Sequence, residues 1–102
     1  MYTTSGDAPN PVSWSDGKDY CSALQSFGHK DWRVPSKKEL AVLYDNRNKL
    51  ALNGTFKSTG GSAAWYWSST EYAGNQAWVQ RFIDGKQNYG YQDDDSSLRC
   101  VR

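Results

Sequence analysis

The sequence predicts an α+β domain, two helices followed by a small antiparallel meander, on three observations. Apolar residues recur at helical spacing in the first half, and the spacing changes to two after residue 61. Glycine, serine, threonine and asparagine supply 32 of the 102 residues, so turns and loops must join short elements. The first helix is expected over Ser15–Phe27, where Tyr20, Cys21, Leu24 and Phe27 share one face. Ser15 and Asp16 stand where caps are needed, and Gly28 is placed to end the helix in a left-handed turn. Pro35 stops the strand-like Trp32-Arg33-Val34, and Ser36 with Glu39 forms the capping box of a second helix. Leu40, Leu43 and Tyr44 make its buried stripe, and it ends between Asn46 and Lys49. Asn53–Gly61 reads as a loop.

Strands are expected at Trp65–Thr70, Ala77–Ile83, Lys86–Tyr91 and Leu98–Arg102. In the second of these, Trp78, Gln80 and Phe82 lie on one face and Val79, Arg81 and Ile83 on the other. Asp84-Gly85 is a hairpin signal, and the acidic run Asp93-Asp94-Asp95 separates the last two strands.

A chain of this length makes one domain, residues 1–102. Lysine plus arginine at 12 against aspartate plus glutamate at 11 leaves a formal charge of +1, too little to neutralise a run of phosphates, so no nucleic-acid partner is expected. Apolar runs fall far short of the ~20 residues that cross a bilayer, which excludes membrane insertion, and Met1-Tyr2-Thr3-Thr4 lacks the regions of a signal peptide. Leucine, isoleucine, valine and phenylalanine supply only 15 residues; five tryptophans and seven tyrosines make up the apolar area. Trp32, Trp65, Trp67, Trp78 and Phe82 are expected inside.

Cys21 and Cys100 admit two readings, a bridge in an oxidising compartment or two buried thiols in a reducing one. A single histidine, His29, and the absence of a C-x-x-C pair argue against a metal site or thiol redox chemistry. His29 sits in a Gly28-His29-Lys30-Asp31 turn with no nucleophile motif beside it, and Glu39 is already used as a cap. Asp93–Asp95 offers too few oxygens for calcium and reads as an exposed turn. Asn53-Gly54-Thr55 matches a glycosylation sequon by pattern alone. No cofactor is called for. The face bearing Val79, Arg81 and Ile83, with Tyr72, Ala73, Asn75, Asn88, Tyr89 and Tyr91 in the neighbouring segments, has the composition of a recognition surface. The alternative is a second sheet face packed on the helices.

Tyr20-Cys21, Asp31-Trp32-Arg33-Val34-Pro35-Ser36, Glu39-Leu40, Trp67-Ser68-Ser69-Thr70, Ala77-Trp78, Phe82, Gly85 and the ending Leu98-Arg99-Cys100-Val101-Arg102 occur in order. Together they resemble the Lcl C-terminal-like domain family, related to the C-type lectin fold as used by formylglycine-generating enzymes. The resemblance runs from about Trp14 to Arg102. It implies a C-type-lectin-like fold, two helices packed on a small twisted antiparallel sheet with long loops, and a bridge from the first helix to the last strand, Cys21 to Cys100. The family also resembles the variable proteins of diversity-generating retroelements, whose reverse transcriptase randomises adenines in a C-terminal repeat. Tyr72, Ala73, Asn75, Val79, Arg81, Ile83, Asp84, Asn88, Tyr89 and Tyr91 all belong to the set reachable from a randomised AAC codon, and fixed motifs alternate with them.

The sequence departs from the family's other relatives. The reactive cysteine pair or copper site of formylglycine-generating enzymes has no counterpart, and neither E-P-N, Q-P-D nor W-N-D of calcium-dependent sugar-binding lectins occurs. The expected function is a non-enzymatic ligand-binding module on a phage or virus particle or a cell surface, whose partner is a protein or other surface ligand. The alternative is a surface, pilus or fibre assembly domain with a fixed protein interface.

Overall fold

A computed structural model describes residues 2–4, 6–25, 28–47 and 64–102. Helix α1 spans Trp14–Ala23, α2 spans Lys37–Asp45, and strands β1 (Trp65–Glu71), β2 (Gln76–Arg81) and β3 (Gln87–Tyr91) form an antiparallel sheet in the order β1-β2-β3. The α+β class is as the sequence predicts. The expected loop Asn53–Gly61, with its sequon, and Phe27 lie outside the described residues.

Helix α1 begins earlier than expected. Ser13, not Ser15 or Asp16, is its N-cap, with the Ser13 hydroxyl accepting from the Asp16 N–H, and the apolar Trp14 falls inside the first turn. The helix also ends earlier, at Ala23. Leu24 leaves in an extended conformation, its N–H donating to the Cys21 carbonyl, so Gly28, with its positive φ of 74°, lies beyond the cap rather than forming it. Helix α2 has both halves of the capping box: Glu39 N–H to the Ser36 hydroxyl, and Ser36 N–H to the Glu39 carboxylate at 2.9 Å.

The same carboxylate takes a bidentate pair from Arg33, one contact measuring 2.7 Å. That guanidinium first, and the Ser36 N–H second among the favourable contacts, hold the Glu39 carboxyl down at about 2, against an ordinary 4.5. A depressed carboxylate stabilises the fold fully above the unfolded value, and the benefit is lost as pH falls from 4.5 towards 2. Glu39→Gln is therefore expected to flatten the acid limb of stability in that window. Urea denaturation at successive pH values reads this directly, and an unchanged limb would show that the Arg33–Glu39 pair contributes nothing there.

In the sheet, Trp65, Tyr66 and Trp67 face Arg81, Gln80 and Val79, after which β1 bulges before Glu71 reaches Ala77. The Ser68-Ser69-Thr70 segment fills the bulge with local bonds. The Ser68 hydroxyl donates to the Trp78 carbonyl at 2.7 Å and accepts from the Thr70 N–H, while the Ser69 N–H donates to the Pro35 carbonyl. Strand β2 joins β3 through Phe82–Lys86, where the Arg81 N–H donates to the Lys86 carbonyl and so closes a four-residue loop, Phe82–Gly85. Gly85 has φ of 80° there, and a Cβ on it would lie 2.5 Å from the Tyr44 ring, so only glycine fits on both counts.

Both faces of the sheet are covered, which the alternation in the sequence could not reveal. One face presents Trp67, Ala77 and Val79 to a core containing Trp14 and Cys21 of α1 with Trp32, Val34, Leu98 and Cys100. The other presents Tyr66 and Phe82 to Leu40 and Leu43 of α2 and to Val101. The expected strand Leu98–Arg102 is not a strand. Residues 96–101 are buried, but they pair in turn with Val12, Tyr66, Arg33 and Thr3 through isolated bridges. Among the described residues the N-terminal segment follows it, with bonds at Tyr2–Arg102, Thr4–Cys100, Ala8–Leu98 and Val12–Ser96, but too widely spaced to form a named strand. Trp32-Arg33-Val34 likewise contributes only the Arg33 bridge to Val101.

Candidate functional site

The site builds outward from β2. Because Trp78 stands directly opposite Tyr89 across the antiparallel ladder, the two side chains rise from the same face. Tyr72, just past β1, folds back over them. Its ring stacks on Tyr89 with centroids 4.0 Å apart and planes 6° from parallel, and both tyrosines meet the indole of Trp78 edge-on at 5.3 and 6.1 Å. Lys37, the first residue of α2, places its ammonium 3.6 Å from the Trp78 ring centroid. Its backbone N–H is fixed by the Thr70 hydroxyl at 3.0 Å, so the bulge, the helix start and the aromatic group form one rigid assembly.

The tyrosines are nevertheless open to solvent: Tyr72 is 46% exposed, Tyr89 43% and Tyr91 56%. Tyr91 lies two residues beyond Tyr89 on the same face of the edge strand. The turn beneath Tyr72 carries the exposed Ala73 and Asn75, with Gly74 at φ 52° and the Gln76 N–H donating to the Ala73 carbonyl. Large rigid aromatic area next to small turn residues can recognise a ligand at low entropic cost.

The ten residues singled out by sequence separate into three groups. Tyr72 and Tyr89 touch Trp78, Tyr91 shares its face, and Ala73 and Asn75 lie in the turn next to Tyr72. Arg81, Ile83 and Asp84 lie at the opposite end of β2, and Ile83 falls in the loop beyond the strand, 50% exposed. There Arg81 and Asp84 hold each other through two contacts, 2.6 and 3.0 Å. Asp84 also accepts from the Lys86 N–H; the guanidinium first, then this N–H, bring its carboxyl down to about 2. This pair braces the loop. Asn88 is on the reverse face, opposite Val79.

Val79 itself is a correction: it is 6% exposed and packed with Trp67 in the α1 core, on the sheet face away from the tyrosines, so it takes no part in their surface. Trp78 is the complementary correction, half-buried at the surface rather than in the core, and Trp65 is only partly buried as well. Val79 is buried because it points at α1, while the Trp78 face is covered by α2 only at its Tyr66–Phe82 end, where Phe82 is buried as expected. Sequence reasoning thus missed Trp78 and Lys37. The available signal was the hairpin: a four-residue loop ending at Gly85 pairs Trp78 with Tyr89 and makes Trp78 share the tyrosine face.

Two helices on opposite faces of a three-stranded antiparallel meander, one end of which bears an exposed aromatic group, define a small α+β domain with a preformed surface. Within that class, the chain belongs to the Lcl C-terminal domain family, whose model matches residues 1–102. No curated protein matches the chain.

Proposed function

We propose that this chain is a non-enzymatic ligand-binding module, a variable protein of a diversity-generating retroelement, and that Tyr72, Ala73, Asn75, Tyr89 and Tyr91 around Trp78 form its binding surface. The observation that carries this reading is the open, already stacked Tyr72–Trp78–Tyr89 group, anchored to the sheet and to α2. Such a surface binds without first being ordered, so contacts are not offset by lost side-chain freedom. The identities of the surface residues, all reachable from a randomised AAC codon, support diversification.

Two measurements test it. The encoding locus should hold a near-identical downstream repeat that differs where the repeat has adenine, together with a reverse-transcriptase gene. The differing codons should include those for Tyr72, Tyr89 and Tyr91 and spare that of the buried Val79; an invariant region without a repeat would overturn diversification. For a ligand selected from a peptide-display library, Tyr89→Ala should weaken binding by at least tenfold and leave the melting temperature nearly unchanged, since Tyr89 is exposed. A second reading, a fixed assembly interface, is favoured by β3 being an edge strand with two exposed tyrosines. Self-association at low micromolar concentration, abolished by Tyr91→Asp, would support that reading instead.

A further inference from the structure

A groove of about 280 Å³ runs along the face of β3 opposite the stacked tyrosines, between Asn88–Gly90 and the 94–96 segment. It exists because Gly90 has no side chain: a Cβ there would meet nothing within 4 Å, and its cross-strand neighbour is the small Ala77. Trp67 and Val79 form an apolar floor, with Trp65 beside them. Trp65 already receives the Arg81 guanidinium at 5.2 Å, so a cation against this indole is a contact the chain itself makes.

At the rim stand Asp94 and Asp95, both exposed. Asp7, Asp31, Glu39 and Asp84 each hold an arginine, whereas among the described residues neither Asp94 nor Asp95 has an ion-pair partner. Indole faces and carboxylates attract the same kind of group, a cation with an apolar stem. A narrow groove of about 280 Å³ with an apolar floor and an acidic rim suits one extended side chain with a cationic end.

We propose that this groove binds a lysine or arginine side chain of a partner protein, its stem over Trp67, Val79 and Gly90 and its charged head at Asp94 and Asp95. Tyr89 belongs to the strand that lines both sites, but the proposed contacts lie on the face away from its stacked ring and do not depend on the tyrosine surface. Titrating a capped Gly-Gly-Lys-Gly-Gly peptide into the ¹⁵N-labelled chain, with arginine and norleucine versions alongside, tests it through the indole N–H signals of Trp65 and Trp67. The lysine and arginine peptides should move these signals saturably, and the norleucine peptide should bind at least tenfold more weakly. The double variant Asp94→Asn/Asp95→Asn should weaken lysine-peptide binding at least tenfold. Gly90→Leu should abolish it with the unfolding midpoint unchanged, while Tyr72→Ala leaves it intact. Equal binding of the norleucine peptide, or binding indifferent to both the asparagine pair and Gly90→Leu, overturns the proposal; so does loss on Tyr72→Ala with Gly90→Leu still binding.

Discussion

Asp7→Ala is expected to lower folding stability by about 3–5 kcal/mol, the usual penalty for removing one partner of a buried ion pair. Arg99 has a fully buried side chain, and Asp7 is nearly so. The Arg99 Nε and Nη2 donate to one Asp7 oxygen at 2.9 and 2.7 Å, Nη1 donates to the Thr4 carbonyl, and the Tyr66 hydroxyl donates to the other Asp7 oxygen. Alanine at position 7 thus removes both the carboxylate that neutralises a buried guanidinium and the acceptor of a buried phenol. Against a typical total of about 5–15 kcal/mol, the variant would sit close to unfolding. Denaturant melts measure the loss. The double variant Asp7→Ala/Arg99→Met should regain a good part of it, because an apolar side chain of similar length carries no charge to desolvate. A single variant within about 1 kcal/mol of the parent would show that the pair is not a stabilising element.

Removing the Cys21–Cys100 bridge is expected to cost about 4 kcal/mol, from the freedom regained by an unfolded chain no longer closed across a separation of 79 residues. Both cysteines are buried, at the junction of α1 with the 96–101 segment. The comparison that isolates the link is the oxidised chain against Cys21→Ala/Cys100→Ala, with the reduced chain as a third sample that keeps the sulfur volume in place. A drop in the alanine variant that the reduced chain does not share would assign the effect to packing instead. The two predicted losses should not add, because Arg99 and Cys100 are adjacent and each fixes the same segment.

What could be read from the sequence follows the range of the interaction that determines it. The capping box at Ser36 and Glu39 is complete within four residues, and it occurs as expected. The glycine of Asp84-Gly85 had to occupy a turn, and it does, although as the end of a four-residue loop. The faces of β2 were not legible in this way. A period of two separates Trp78 from Val79 but does not say which one meets α1, and in a sheet covered on both sides size is no guide: the smaller valine is buried and the tryptophan reaches the surface. The Asp7–Arg99 pair spans 92 residues, with no local pattern to signal it. The terminal segment misled for the same reason. Its residues look like a strand, but their partners are the distant N-terminal segment, Arg33 and Tyr66, paired at scattered positions.

That segment also ties the two layers to one another. Residues 96–101 contribute Leu98 and Cys100 to one core and Val101 to the other, and they are synthesised after both helices and all three strands. A nascent chain that has delivered α1, α2 and the sheet to solvent still lacks the piece against which both layers close, and Cys21 still lacks its partner. A chain cut before residue 96 would lack Leu98 and Cys100 from one core and Val101 from the other, so a single short truncation would weaken both layers at once.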